Sequence, residues 1–261
     1  MSNLPARRDV FETFRPWLDT NGFTPARIAV ANALCDRLGL PANDNAAAAA
    51  VRSPTRLADP AAFFAHLRAG KILGPVLTAA EVAGCNAIID ACGADGWPVG
   101  DTAYALATAW LETAATMQPI KEIGGDAYFH RMYDIEGARP AKARELGNLR
   151  PGDGARYPGG GYVQLTGYKN YLRAGTALGI DLVNHPERAL ERAIAAAIMV
   201  RGMRDGWFTG RDLDDDIPRA GPATLAQFIA SRDIINGTDK ARAIADAAIH
   251  FQHGLLAGRW G

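Results

Sequence analysis

From Phe63 to the C-terminus, apolar side chains recur at helical spacing. The pattern predicts helices over 60–70, 78–92, 101–117, 140–146, 168–178, 186–202, 222–231 and 238–255. Strand signals are scarce: Gly161 to Thr166, where Tyr162, Val163 and Leu165 stand among polar and small residues, reads as one short extended segment. Between 118 and 167 the regularity breaks into Gly, Pro and charge, which predicts loop set among helices. Loops on a rigid scaffold are where binding and catalysis concentrate. The fold class expected is mostly α.

The N-terminal part reads separately. Phe11 to Leu40 predicts one or two short helices, with Thr24 as cap, Pro25 at the first helical position, an apolar stripe of Ile28, Ala31, Leu34, Cys35 and Leu38, and Gly39 as terminator. Residues 41–58, with their Asn-Asp-Asn run and five consecutive alanines, are too short of helix-forming length to hold structure in water and read as a linker. The division expected is an N-terminal helical segment with Ala-rich linker over 1–57, followed by one domain over 58–261. Thr24, Ala26, Ala29, Asn32, Ala33, Asp36 and Gly39 recur 54 positions later as Thr78, Ala80, Ala83, Asn86, Ala87, Asp90 and Gly93. Two explanations stand: chance likeness of Ala-rich helices, or a degenerate second copy of a helical pair.

Composition narrows the class. A chain of 261 residues that is 48% apolar supports one substantial core, or one domain and a smaller unit. Lys and Arg total 28 and Asp and Glu total 28, so no global positive field steers the protein toward nucleic acid or an acidic membrane. Charges interrupt every apolar run well before the roughly 20 residues a membrane-crossing helix needs, and the polar first ten residues argue against a signal peptide. The three cysteines, Cys35, Cys85 and Cys92, cannot all pair within one chain and are expected as reduced, buried thiols.

Candidate chemistry begins with a carboxylate. Ala103 to Ala114 is dominated by small and apolar residues, with Glu112 its only carboxylate. A lone carboxylate on such a helix is costly unless paired or protonated, and burial would raise its pKa toward what a general acid needs. The alternative is a helix-terminal Glu on a solvated face. Cleavage of a glycosidic bond requires two carboxyl roles. Glu122, beyond the helix-ending Pro119, and Asp134, in a loop with Tyr133 and Glu136, both qualify as the second, and spacing does not choose between them. Asp212 and Asp214 to Asp216 read as a solvated turn.

The stretch Leu146 to Gly167 reads as a ligand-binding loop, with a structural turn as the alternative. Its glycines permit close backbone approach, Tyr157 and Tyr162 offer flat apolar area with a hydroxyl, and Gln164 and Thr166 both give and accept hydrogen bonds. It lacks the Lys-Ser or Lys-Thr of a phosphate loop, and no nucleophile elbow occurs. The histidines 66, 130, 185, 250 and 253 are scattered. His250 and His253 have near-helical spacing and read as decoration of the C-terminal helix rather than zinc ligands, so no metal is expected.

With these residues in view, the sequence resembles glycoside hydrolase family 19, the chitinases, and in particular their bacterial and phage endolysin branch. The resemblance covers about 60–255 and lies in Ala103 to Met117, Pro151 to Gly154, Gly159 to Gly167, Asn170-Tyr171, Leu178 to Val183 with Asn184 and Pro186, and Ile234 to Gly237. It implies a lysozyme-like, two-lobed helical domain with a central glycan-binding cleft. It assigns Glu112 as general acid, Glu122 ahead of Asp134 as its partner, and Gln164, Thr166, Asn170 and Asn236 as cleft residues, to which the reading of the loop adds Tyr157 as a substrate-binding residue. The activity implied is hydrolysis of β-1,4 bonds in peptidoglycan with inversion; the alternatives are chitin and a catalytically weakened glycan binder. Glycan chains are the expected partners, without nucleic acid, membrane insertion, metal or cofactor, and the chain is expected to be a monomer. It is expected to be cytoplasmic at synthesis and to reach the cell wall by release or export without a signal peptide. Two positions depart from the pattern: Leu111 stands where His is usual, and Gly160 where Arg is usual. The latter loses a bidentate donor; the alternatives are reduced activity or compensation by another arginine, such as Arg150, Arg156 or Arg232. The N-terminal segment is expected to be an adaptor or wall-targeting unit. A truncation starting near residue 58 should keep cleavage and lose wall binding in a pull-down with purified walls, and unimpaired wall binding would remove that role.

Overall fold

The computed structural model describes residues 54–261, except Pro75 and the three residues Asn236, Gly237 and Thr238. The expected N-terminal helices, Cys35 and the first copy of the internal echo lie outside the described residues. The domain is mostly α-helical, as the apolar periodicity predicts.

Local signals place the first helices. Helix α1 (Pro60–Gly70) starts where Asp59 accepts from the Ala62 amide, with Pro at its first position. Helix α2 (Ala79–Ala94) opens with a reciprocal capping box, Thr78 bonding the Glu81 amide and Glu81 returning to the Thr78 amide. Helix α3 (Val99–Glu112) is buried continuously from Val99 to Ala109. Its alanines and Gly100 leave room for close neighbours, and the last helix, α10 (Ala241–Ala257), packs along both α3 and α1. Helix α8 (Arg192–Arg204) covers α2, and the short α9 (Leu225–Ala230) lies on α10.

A second, smaller part follows α3. It holds α4 (Asp126–Tyr133), α5 (Pro140–Leu146), the single turn α6 (Asp153–Arg156) and α7 (Tyr168–Leu178). Phe129, Ala143 and Leu146 are buried here outside the main apolar cluster. Helix α4 falls in the stretch expected to be loop. Gly124-Gly125 and the surrounding charges mask it, yet one side chain, Phe129, gives it a buried face against α6.

Three further expectations are adjusted by tertiary contacts. Helix α3 stops at Glu112 rather than 117: the Thr113 hydroxyl bonds the Ala109 carbonyl, and Ala114, Ala115 and Met117 all take left-handed conformations. The predicted helix 186–202 divides into a 3₁₀ turn, Pro186–Leu190, and α8, because Glu191 is extended. The extended segment 161–166 contributes only Gly161 to a strand. Strand β1 (Ile120–Lys121) pairs antiparallel with β2 (Gly160–Gly161), and the chain then turns so that Gly160 and Leu165 exchange amide bonds of 3.1 and 2.8 Å.

Residues 55–57 run beside the C-terminus. Arg56 and Gly261 exchange 3.2 Å amide bonds, and the Trp260 indole donates to the Trp97 carbonyl at 3.0 Å. Cys85 and Cys92 are buried and unpaired, and burial, with Glu81 adding to it, pushes the Cys85 thiol up to about 12. No described helix is long and apolar enough to cross a membrane.

Gly84 of α2 meets the Met117 carbonyl so closely that a Cβ at this position has no space, and the contacted atom is backbone in the turn that follows Glu112. Gly84→Ala is therefore expected to destabilise the domain by roughly 1–3 kcal/mol, read as a lowered denaturant midpoint with an unchanged slope.

Candidate active site

Glu112 is the last residue of α3. Its side chain is 22% exposed and takes a 3.3 Å bond from Arg232 Nη2. Arg232 is buried in a 3₁₀ turn, Ser231–Ile234, that continues from α9. That turn is tied to α3 by the Tyr104 hydroxyl, which donates to the Ser231 carbonyl at 2.7 Å. The Arg232 Nε donates to the Asp239 carbonyl at 2.7 Å, while Nη1 is buried without a partner among the described residues. The carboxyl expected alone in apolar surroundings is thus held at a helix end by a buried guanidinium. A buried cation is tolerated only when paired, so the two side chains place each other. The three left-handed residues after Glu112, at about 1–3 kcal/mol each, mark the connection to β1 as strained.

Glu122 follows β1. Its amide donates to the Gly159 carbonyl at 2.8 Å and its Oε2 accepts from the Gly159 amide at 3.2 Å. The Tyr133 and Tyr128 hydroxyls, both from α4, donate to Oε1 at 2.8 and 3.3 Å. Burial, followed by the bond to Glu122, pushes the Tyr133 phenol well above its ordinary range, so it stays a donor. A Cβ at Gly159 would sit 2.8 Å from Gln164 Oε1 and 2.9 Å from Glu122 Oε2. Glycine is required for the two side chains to gather over this backbone.

Asp134 is fully buried at the C-terminus of α4. Its oxygens accept from the amides of Glu136 (3.1 Å), Gly152 (2.8 Å) and Gly154 (3.2 Å). Burial by itself would raise this carboxyl, but the three amides outweigh it and hold Asp134 below its ordinary value. These contacts make Asp134 the anchor of the 146–167 loop and leave it no open face for a reacting water. His130, Asp134 and Glu136 bring one possible ligand atom each within 4.8 Å of one another, yet both Asp134 oxygens are already occupied by amides.

The loop itself mixes structural and exposed roles. Tyr157 is buried, bonds the Val183 carbonyl at 3.0 Å and packs on Tyr168 and Tyr171. It is a core residue, not the sugar platform expected, and Tyr162 is likewise buried, with its hydroxyl on the Met117 carbonyl at 3.2 Å. Gln164, at φ 52°, bonds the Ile120 carbonyl through Nε2 at 3.2 Å. Thr166 donates to the Gln164 carbonyl at 2.9 Å and Asn170 to the Thr166 carbonyl at 2.7 Å. All three are partly exposed. Asn236 lies outside the described residues. Beside Gly160 a cavity of about 180 Å³ is lined by Lys121, Arg156, Tyr171 and Glu187. Of the three arginines considered as replacements, Arg156 borders this cavity and Arg232 holds Glu112.

The tyrosine pair on α4 escaped sequence reading for Tyr128 altogether, because its helix was not expected. No protein-family model matches the chain, and no curated protein matches it. Among solved structures it is similar to chitinase C from Streptomyces griseus HUT6037, with 21% sequence identity, a TM-score of 0.46 and 76% of each chain covered.

Replacing Asp134 with Ala, which orphans the buried amides, is expected to cost on the order of 3 kcal/mol. Because the folded carboxyl is held low, its contribution is complete above about pH 4 and is lost as the pH falls through the folded value. Urea melts from pH 7 to 3 should show that acid loss in the parent and a flatter profile in Asp134→Asn.

Proposed function

We propose that this chain is a glycoside hydrolase acting on β-1,4-linked glycans that contain N-acetylglucosamine. One observation carries the reading beyond the sequence motifs. Glu112 and Glu122 are both partly exposed, both are fixed by scaffold donors, and both retain acceptor capacity. Glu112 Oε2 has no partner among the described residues, and Glu122 uses three of the about four acceptor positions of a carboxylate.

In this mechanism Glu112 acts through Oε2 as proton donor to the departing glycosidic oxygen, while Arg232 orients the carboxyl through Oε1. Glu122, held by two phenols and one amide, takes a proton from water, which attacks the anomeric carbon from the opposite face. The product has inverted configuration, as two carboxyls with a water between them require. Gln164, beside Glu122, and Thr166 and Asn170 offer hydrogen bonds to hydroxyl and acetamido groups. No step uses a metal or cofactor.

A polymer of N-acetylglucosamine alone, such as chitin, is the substrate read first. The peptidoglycan strand is the second, on the strength of the bacterial and phage motif set between Pro151 and Gly167. A glycan binder without turnover is a third reading, motivated by Leu111 and Gly160.

Product release from N-acetylglucosamine oligomers and from purified peptidoglycan separates these readings, with the anomer identified by NMR before mutarotation. Glu112→Gln and Glu122→Gln are each expected to lower kcat by roughly 10²–10⁴ with sugar binding retained. Tyr133→Phe is expected to lower kcat about tenfold at little change in KM. Full turnover by Glu112→Gln would remove the acid assignment, and retained configuration would remove the two-carboxyl water mechanism. Sugar binding by the parent without any turnover would establish the binder.

A further inference from the structure

Three of the five histidines come together from opposite ends of the described domain. His66 lies on α1, and His250 and His253 lie one turn apart on α10, the helix packed along it. The rings of His66 and His250 have centres 4.6 Å apart with planes tilted by 36°, and the His253 ring is 6.3 Å from His66. Instead of decorating a solvated helix face, His250 lies directly over Gly70, where a Cβ would occupy the space of its ring. From α10, a Cβ at Gly254 would stand 3.3 Å from the His66 ring, so the seam is filled on both sides. The Nε2 atoms of His66 and His250 are closed off from solvent, and neither has a hydrogen-bond partner among the described residues.

A protonated imidazole donates through both ring nitrogens. In this seam each buried Nε2–H would be left without an acceptor, and two cations would face each other at the spacing of these rings. No described carboxylate compensates. The groups whose charge reaches His250 are His66 from α1 and His253 from its own helix. The charged residues at this end of α1, Arg68 and Lys71, are cations. Elsewhere on α10 and beside it, Asp246 pairs with Arg242 and Arg259 with Asp59. On α3, Glu112 pairs with Arg232 and Asp101 acts on Cys92; Asp233 pairs with Arg211, and α9 has no charged residue. Burial, with His66 and His253 adding to it, therefore holds His250 below the ordinary histidine value.

We propose that the α1–α10 seam is an acid-released latch: His66, His250 and His253 keep the two helices together while their imidazoles are neutral, and protonation in mildly acidic solution parts them. The latch is separate from the carboxylates of the hydrolase reading and stands whether or not that reading holds. Its sign follows from linkage. The closed seam excludes protons that the opened one takes up at the ordinary histidine value of about 6.5, so the latch is fully closed above that pH and weakens as the pH falls through it. Because α10 also packs along α3, release of α1 strips one face of the helix that supports Glu112.

The test is a set of urea melts of the full chain between about pH 7.5 and 5.5, above the range in which Asp134 titrates. The unfolding constant should rise roughly tenfold for each proton the seam excludes, about 10–100-fold in all. Over the same range the amides of α1 should lose hydrogen-exchange protection before those of α3. His66→Gln and His250→Gln should each flatten the pH dependence, while His185→Gln, on the exposed surface, should leave it unchanged. Equal midpoints at the two ends of the range would overturn the proposal, as would the parent's pH dependence persisting in both buried variants. If those variants fail to fold, ring-proton NMR of the parent decides. His250 titrating at the ordinary value in a domain that keeps α1 protected overturns the latch, and His250 staying neutral until α1 loses protection supports it.

Discussion

The burial of α3 on every side governs this domain. A helix with no solvated face along most of its length, Val99 to Ala109, must place its polar groups at its ends or satisfy them with neighbouring backbone. Tyr104 does the second, through the Ser231 carbonyl, and so fixes the turn that carries Arg232. Glu112 does the first, as the last helical residue, and meets that arginine there. The small side chains that make α3 look featureless are what let α10 and its neighbours lie close enough for this pairing. The acid and its cation are therefore consequences of one packing decision made along the whole helix.

The smaller part of the domain is organised by a different device. Asp134 gathers three backbone amides and thereby ties the end of α4 to the turn at Gly152 and Gly154. With α4 anchored, Tyr128 and Tyr133 are fixed over Glu122, and the β1–β2 pairing brings Gly159 to its other oxygen. Two carboxylates of similar appearance in the sequence thus have opposite fates. Each accepts three hydrogen bonds, but one is fully buried, while the other is partly exposed and so still open on one side. Between them and Glu112 lies a connection with three left-handed, non-glycine residues, a form of strain that persists only where surrounding contacts over-determine the path.

The seam between α1 and α10 obeys the same accounting in reverse. There the helices close over imidazole nitrogens without meeting their hydrogen-bonding needs. Elsewhere along the same pair of helices the contacts are apolar and the close approaches use glycine, as where Gly254 faces Phe63 and His66.

Much of this was legible in the chain alone, because helices depend on spacings of three and four residues and on caps that are local. The boundaries of α1, α5 and α7 and the burial of Cys85 and Cys92 all follow from such short-range patterns. What the pattern misjudged was decided at long range. Helix α4 exists because Phe129 finds a pocket against α6, not because its residues favour helix. Tyr157, which looked like a surface for sugar, is buried because three tyrosines pack together across α6 and α7. Asp134 became a scaffold residue once amides eighteen and twenty positions away converged on it. Arg232 meets Glu112 across 120 positions, and His66 meets His250 across the length of the domain. Sequence determines which residues can form helices and which side chains can do chemistry. Only the tertiary structure determines which of those side chains are buried, paired or left open, because desolvation and hydrogen bonding depend on neighbours that the chain order does not specify.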